Sequence, residues 1–325
     1  MSLFKPQKTI LLCPENDLES RTILKIAEKL NIEVRPSTQK WGAKLEKEPD
    51  ENFHNPDKKN IWVVEIPGPE KEAALKNKGY DLTIIDHHEY EGLNRYNDLS
   101  SLEQFAKKCG YELSEEEKVI AINDRSYIWG LISEGVSLEN IMAIRKEEML
   151  IQSWTPEDFA ANEAEIMSIR TAIDKYLSEP ESFFVYETTL QKTGHFVDLF
   201  HLPDQQQYQL YRNSKENHPR WNLLLIKKGS GIVLEFSGLK ICRDKVLEAF
   251  FPMAGNYWLG GAGIFGFAGI EIQSAVKLEE VKTKMKDILN PEKKESACSI
   301  PIRPHEAPIK KFTTFFSFSV SLSGK

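Results

Sequence analysis

The chain has 325 residues, 41% hydrophobic, 28% charged and 10% aromatic, which is room for two domains that each bury an ordinary core. A net charge of −7 and a pI near 5.7 argue against a binder of long nucleic acid, but not against a small phosphorylated substrate held by metal ions. No apolar run is long enough to span a bilayer, and the N-terminus lacks a signal peptide's apolar stretch, so no membrane partner is expected.

Thr9–Cys13 reads as a buried strand and Leu18–Leu30 as an amphipathic helix with Ile23, Ile26 and Leu30 on its apolar face. Ile32–Arg35 reads as a second strand. Ser37–Lys59 is polar, carries Pro49 and Pro56, and is expected to be a long loop. Ile61–Ile66 is a third strand stopped by Pro67-Gly68-Pro69. A charged helix over Glu70–Asn77 precedes a fourth strand that ends in Asp86-His87-His88. Strands separated by helices imply a mostly parallel sheet with crossover connections. From Ser101 to about Arg145 the pattern is helical and includes Ala121-Ile122-Asn123-Asp124.

Thr155-Pro156-Glu157-Asp158 is a strong helix start. Phe159, Ile166, Ile169, Ile173 and Leu177 follow on one face, as expected of a connector helix. Strands return between Phe183 and Ile272, including Trp221–Ile226, Ile232–Phe236 and Gly269–Ile272, and a helix over Glu279–Leu289 closes the second domain. Beyond Pro291 the tail is basic and proline-bearing. Its Phe316–Leu322 segment alternates apolar and polar residues, the pattern of a strand added to an exposed edge or a homodimer contact. The four cysteines (Cys13, Cys109, Cys242, Cys298) show no paired zinc spacing, which fits a reducing cytoplasm. Cys109 and Cys242 read as small core residues.

Chemically apt side chains gather at the ends of the early elements. The first strand leads into Cys13-Pro-Glu-Asn-Asp17-Leu-Glu19, the third into Glu65 and the fourth into Asp86-His87-His88, while Asp124 lies further on. Strand ends in open α/β sheets are where ligands sit. This pattern resembles the DHH phosphoesterase superfamily, whose members carry a first-strand His-x-x-x-Asp-x-Asp, an Asp after a later strand, Asp-His-His and a fourth Asp. The match covers about residues 9–130. The resemblance implies an α/β chain: a parallel-sheet domain (1–150), a helical linker (151–182), a smaller α/β substrate domain (183–290) and a C-terminal tail (291–325).

The second domain adds to the likeness. Relatives with an accessory domain carry a Ser-Gly strand end and a glycine-rich segment. Phe236-Ser237-Gly238 and the run from Gly255 through Gly260, Gly261, Gly263 and Gly266 to Gly269 correspond, without the usual histidine. Ser237, Gly238, Gly260, Gly261, Gly263, Tyr257, Phe265 and Arg243 are thereby expected to bind substrate; Tyr257, Trp258, Phe265 and Phe267 either stack on a base or pack beneath the glycines, with stacking favoured for one or two of them. Arg212, His218 and Arg220 read as a solvated face that could also meet phosphates, and His195 and His201 as turn or surface residues. The formal G-x-G-x-x-G at Gly261, Gly263 and Gly266 is not a dinucleotide fingerprint, because no buried strand leads into it and no helix opens there.

The resemblance implies Mn²⁺ or Mg²⁺, one or two ions. Asp17 and Cys13 would face one ion, Glu19, His87 and Asp124 the other, and Glu65 would bridge. Asp86 would orient an imidazole and His88 would touch the substrate phosphate. Three positions depart from the pattern: Cys13 stands for a histidine, and Glu19 and Glu65 for aspartates. A thiolate suits manganese poorly, and each Glu displaces its carboxylate by about a bond length. These changes leave open altered metal occupancy, an unusual substrate, or a nucleotide sensor without catalysis. The activity implied is hydrolysis of a small nucleotide in a cleft between the domains, releasing a nucleoside 5′-monophosphate. Nano-RNases, enzymes that cut cyclic dinucleotides, and a branch accompanying type III CRISPR systems that hydrolyses an S-adenosylmethionine–AMP conjugate are the similar groups. An inorganic pyrophosphatase would not need the glycine segment.

Overall fold

β1 (Thr9–Cys13) is buried along its whole length, as its unbroken apolar run requires. Asp17 then caps α1 (Leu18–Lys29), its carboxylate accepting the Ser20 amide. β2 (Glu33–Pro36), β3 (Asn60–Val64), α2 (Pro69–Asn77) and β4 (Asp81–Ile85) complete a four-stranded sheet in the order β2-β1-β3-β4, parallel throughout. The computed structural model describes residues 5–39, 42–55, 57–88, 93, 95, 97–177, 183–213, 222–260 and 265–289. No helix among them is long and apolar enough to cross a membrane.

Alternate residues of this sheet enter different cores. Leu11, Cys13, Trp62 and Val64 pack with Ile23, Ile26 and Phe105, whereas Leu12, Ile61 and Val63 pack with Leu75, Leu45 and Phe53. Leu45 and Phe53 come from the segment expected to be a plain loop. It holds two 3-10 turns, Leu45–Lys47 and Asp50–Phe53, that cover the second face with few apolar residues. α3 (Ser101–Cys109) and α4 (Glu115–Ser133) each start from a Ser/Glu capping box, at Ser100/Glu103 and Ser114/Glu117. α4 is broken at Tyr127 (φ 55°, ψ −157°). The break crowds the next turn, where a Cβ on Gly130 would lie 2.3 Å from Ser126 Cβ. α5 (Leu138–Ile151) ends this part of the chain.

The chain divides into two compact units between Thr155 and Pro156. The expected connector helix is two helices, α6 (Pro156–Ser168) and α7 (Arg170–Leu177), and α6 packs inside the second unit. Asn162 fastens it there. Its amide donates to the Asp158 and Lys192 carbonyls, and its Oδ1 accepts the Phe196 amide at 2.9 Å. The remaining elements are β5 (Phe183–Thr188), α8 (Gly194–His201), α9 (Gln205–Asn213), β6 (Asn222–Lys228), β7 (Ile232–Leu239), α10 (Lys240–Phe250), β8 (Ala254–Gly260), β9 (Phe265–Ile272) and α11 (Leu278–Leu289). The sheet order is β5-β6-β7-β9-β8, with β5 and β6 parallel and the other pairs antiparallel. The fold is therefore α/β in both units. The described residues of the glycine-rich run lie in strands: β8 and β9 pair antiparallel, with a bulge between Ala254 and Asn256. The strand that leads into the G-x-G-x-x-G, β8, is not buried at its described residues 254–257, in line with expectation. It is followed by another strand and not a helix, so the dinucleotide reading stays excluded.

Candidate metal centre

Three crossovers of the first sheet bring the site together. Glu65 follows β3 directly, held by its amide on the Ile85 carbonyl of β4, and takes φ 51°, an uncommon value for a residue with a Cβ. His87 and His88 follow β4. Glu19 lies in the first turn of α1 and Asp124 in α4, three residues before its break. One oxygen or nitrogen from each of Glu19, Glu65, His87 and Asp124 lies within 4.8 Å of the others, and a second such group is Glu65, His87 and His88. Glu65 and His87 belong to both.

The four atoms of the first group have no better use. Glu19 Oε2, Glu65 Oε1, His87 Nε2 and Asp124 Oδ2 are all shielded from solvent and make no hydrogen bond, and only charge pairs His87 with Glu65 and Asp124. His87 Nε2 is 2.8 Å from Asp124 Oδ2 and 3.3 Å from Glu65 Oε1, close in distance but without hydrogen-bond alignment. Glu19 Oε1, by contrast, accepts the Leu102 amide at 2.8 Å at the start of α3, so Oε2 is the oxygen left for the cluster. Buried polar atoms left without partners are rare and costly. A cation bound among three carboxylates and an imidazole would satisfy all four, so the donor set fits a divalent metal.

The electrostatics agree. Burial, then the charges of Asp124 and Glu65, hold the Glu19 carboxyl well above its usual range. Burial, Glu65, Glu148 and Asp124 do the same to Asp17. Burial also opposes ionisation of Glu65, but His88 and His87 outweigh it and bring that carboxyl down to about 2. His87 is pushed the other way: burial disfavours its charge, and Asp124 and Glu65 more than reverse this, raising it well above the ordinary histidine value. Without a cation the acids crowd one another and the imidazole carries a proton among them. A dication held by these residues would take the place of that proton and allow the carboxylates to ionise together.

Asp86 is buried and its Oδ1 accepts the His88 amide and lies 3.0 Å from His88 Nδ1. It thus orients an imidazole instead of entering either ligand group. Asp17 and Cys13, expected as ligands, are not in those groups. Asp17 Oδ1 is engaged in capping α1. The Cys13 Sγ faces the Ser20 carbonyl at 3.8 Å within the first core. Burial and the nearby Asp17, Glu65 and Glu19 charges push its thiol well above the ordinary range. Two neighbours escaped the sequence reading. Glu148 of α5 accepts the Leu18 amide at 3.0 Å and faces Asp17; burial raises its carboxyl. Arg95 pairs with Asp86 and Glu72.

The residues expected to bind substrate in the second unit are differently placed. Ser237 is buried, with its Oγ 2.9 Å from His201 Nε2. Phe265 is only 3% exposed and packs near Phe267, so it presents no free face to a base. Tyr257 is half-buried against Phe251. Gly238 makes room for Asn222: a Cβ there would stand 2.5 Å from Asn222 Oδ1. Arg243 is buried over Gly266, its guanidinium on Asp244. Gly260 ends β8. Gly261, Gly263, His218, Arg220, Cys298 and the Phe316–Leu322 segment lie outside the described residues. Cys109 and Cys242 pack against the two cores as expected.

His201, expected in a turn or at the surface, is completely buried at the end of α8. Burial lowers its pKa to about 3. The ring is therefore neutral when folded but takes a proton when unfolded below pH 6.5. The stability this contributes is complete above pH 6.5 and is lost as the pH falls towards 3, at about 1.4 kcal/mol per pH unit. We expect the unfolding temperature of the second unit to fall as acid is added and His201→Gln to flatten that slope. An unchanged slope in the variant would assign the acid sensitivity elsewhere.

No protein-family model matches the chain, and no curated protein matches it. Among solved structures, the exonuclease RecJ bound to manganese is similar over 89% of this chain and 91% of its own, with 11% identity and a TM-score of 0.39. A likeness at that level transfers neither residues nor activity, and the metal centre stands on its own atoms.

Proposed function

We propose that this protein is a divalent-metal-dependent phosphodiesterase of the DHH type that hydrolyses a small nucleotide to a nucleoside 5′-monophosphate. The observation that carries the reading is the convergence of Glu19 Oε2, Glu65 Oε1, His87 Nε2 and Asp124 Oδ2 without hydrogen bonds among them. Those four residues would hold the ion, and His88 would extend the set through the group it forms with Glu65 and His87. Oxygen donors with imidazole favour Mn²⁺ or Mg²⁺ over thiophilic metals. When bound, such an ion lowers the pKa of water and neutralises phosphate charge.

The chain's own residues supply the rest. Glu65, shared by both ligand groups, is the residue best placed to bridge a pair of ions. Asp86 Oδ1, 3.0 Å from His88 Nδ1, would orient that ring beside the bound substrate. Leu102 fixes Glu19 by its amide, so the carboxylate keeps its orientation as charge develops on the substrate. The acidic net charge favours a short substrate over a polymer. Within that class we include dinucleotides, cyclic dinucleotides and the S-adenosylmethionine–AMP conjugate.

The test is incubation with Mn²⁺ and a panel of these three substrate types, followed by chromatography for nucleoside monophosphate. Release of a 5′-monophosphate from any of them, abolished by chelator, is the expected result. Binding of a nucleotide without turnover would instead favour a sensor. The buried Cys13 in the place of a metal-ligating histidine, its Sγ on the Ser20 carbonyl, is the observation on that side.

A further inference from the structure

The carboxylate of Asp86 is 1% exposed and its two oxygens have separate tasks. Oδ1 accepts the His88 amide and meets His88 Nδ1, both at 3.0 Å. Oδ2 lies 3.4 Å from Arg95 Nη1. Arg95 is itself buried, 9% exposed, and its Nη2 forms an ion pair with Glu72. Glu72 is fixed in turn, because its Oε1 accepts the Gly68 amide at 3.2 Å at the N-terminus of α2. The result is one chain of charge-assisted contacts, Glu72 to Arg95 to Asp86 to His88, ending beside Glu65 at 3.9 Å.

We propose that Arg95 is a positioning residue of the metal centre, fixing the ring of His88 through Asp86; this rests on the hydrolase reading above. Arg95 gives the buried Asp86 carboxylate a cationic partner at 3.4 Å, which fixes its orientation. Asp86 Oδ1 in turn anchors His88 at two points, the backbone amide and ring Nδ1, so the place of Asp86 sets the place of the imidazole. The planar guanidinium addresses Asp86 and Glu72 with different nitrogens, which a single ammonium cannot reproduce. A residue that only tied down its own loop would not govern the tautomer of an imidazole two contacts away.

The experiment uses full-length protein labelled with ¹⁵N-histidine and loaded with Mg²⁺, the His88 signals being identified by their loss in His88→Gln. In the wild type we expect the proton on Nδ1. In Arg95→Gln we expect a mixture of tautomers, with Mn²⁺ affinity and nucleotide turnover each reduced roughly ten- to a hundredfold. Arg95→Lys should recover part of both, and Arg95→Gln should add little to Asp86→Asn, since both act through one carboxylate. A wild-type His88 spectrum in Arg95→Gln, or full additivity with Asp86→Asn, overturns the proposal. If Arg95→Gln does not fold, Arg95→Lys is read in the same way: mixed tautomers support the role and a wild-type spectrum overturns it. A wild type that turns over no nucleotide would overturn the hydrolase reading, while the tautomer would still decide what Arg95 does.

Discussion

We expect Mn²⁺ to raise the unfolding temperature of the first unit and Glu65→Gln to remove most of that rise. Glu65 is common to both ligand groups, so its loss dismantles each of them, whereas loss of His88 would spare the four-residue group. A ligand at a hundred times its dissociation constant stabilises the folded state by about 2.7 kcal/mol. For a unit of this size that is a shift of roughly 5–11 °C. The comparison has to be the difference with and without metal. Glu65 is ion-paired with the two histidines in the metal-free protein, so the variant also begins from a different baseline. Differential scanning fluorimetry with Mn²⁺ and with Mg²⁺ gives the numbers. An equal metal-induced rise in the variant would remove Glu65 from the site.

If the proposed hydrolysis holds, His87→Ala is expected to lower turnover by roughly a thousandfold, the scale lost with a central electrostatic contributor. Its Nε2 sits among the other donors, 2.8 Å from Asp124 and 3.3 Å from Glu65, and no other side chain in the four-residue group offers nitrogen. Cys13→Ala is the informative contrast. Its thiol is buried in the core and bonded to the Ser20 carbonyl, so the variant should lose a little stability and keep Mn²⁺ affinity within about threefold, the context-dependence of ordinary packing effects. Steady-state kinetics on both variants, with metal titrations alongside, separates catalysis from binding. If His87→Ala changed only nucleotide affinity in a protein without turnover, the sensor reading would prevail.

Much of this was legible in the chain because the first sheet announces itself. Thr9–Cys13, Asn60–Val64 and Asp81–Ile85 are apolar or β-branched runs with turn residues or charges at their ends, and ligands gather at such ends in parallel sheets. Glu65, His87 and Glu19 stand out for that reason. What pattern cannot express is which of two plausible jobs a residue takes. Asp17 has the spacing of a ligand and the position of a helix cap, and its carboxylate is engaged by the Ser20 amide. Cys13 ends a strand, yet its side chain falls on the core face with Leu11. Arg95 and Glu148 meet the site only through tertiary contacts, with no local signal to mark them.

The second unit shows the other difficulty. Its glycines suggest a loop open to phosphate, but Gly266 and Gly269 are ladder residues of β9, opposite Gly238 and Glu235 of β7. Glycine at position 238 answers to Asn222 on the neighbouring strand and at 266 to the backbone of Lys240 on α10. Close packing and ligand approach ask for the same residue, so composition alone does not separate them.

The most direct measurement is anomalous diffraction at the manganese edge from crystals grown with Mn²⁺. The account predicts an anomalous peak bonded to Glu65, His87 and Asp124, with Glu19 completing the set. A well-ordered structure with these four side chains in place and no peak among them at saturating Mn²⁺ would contradict it.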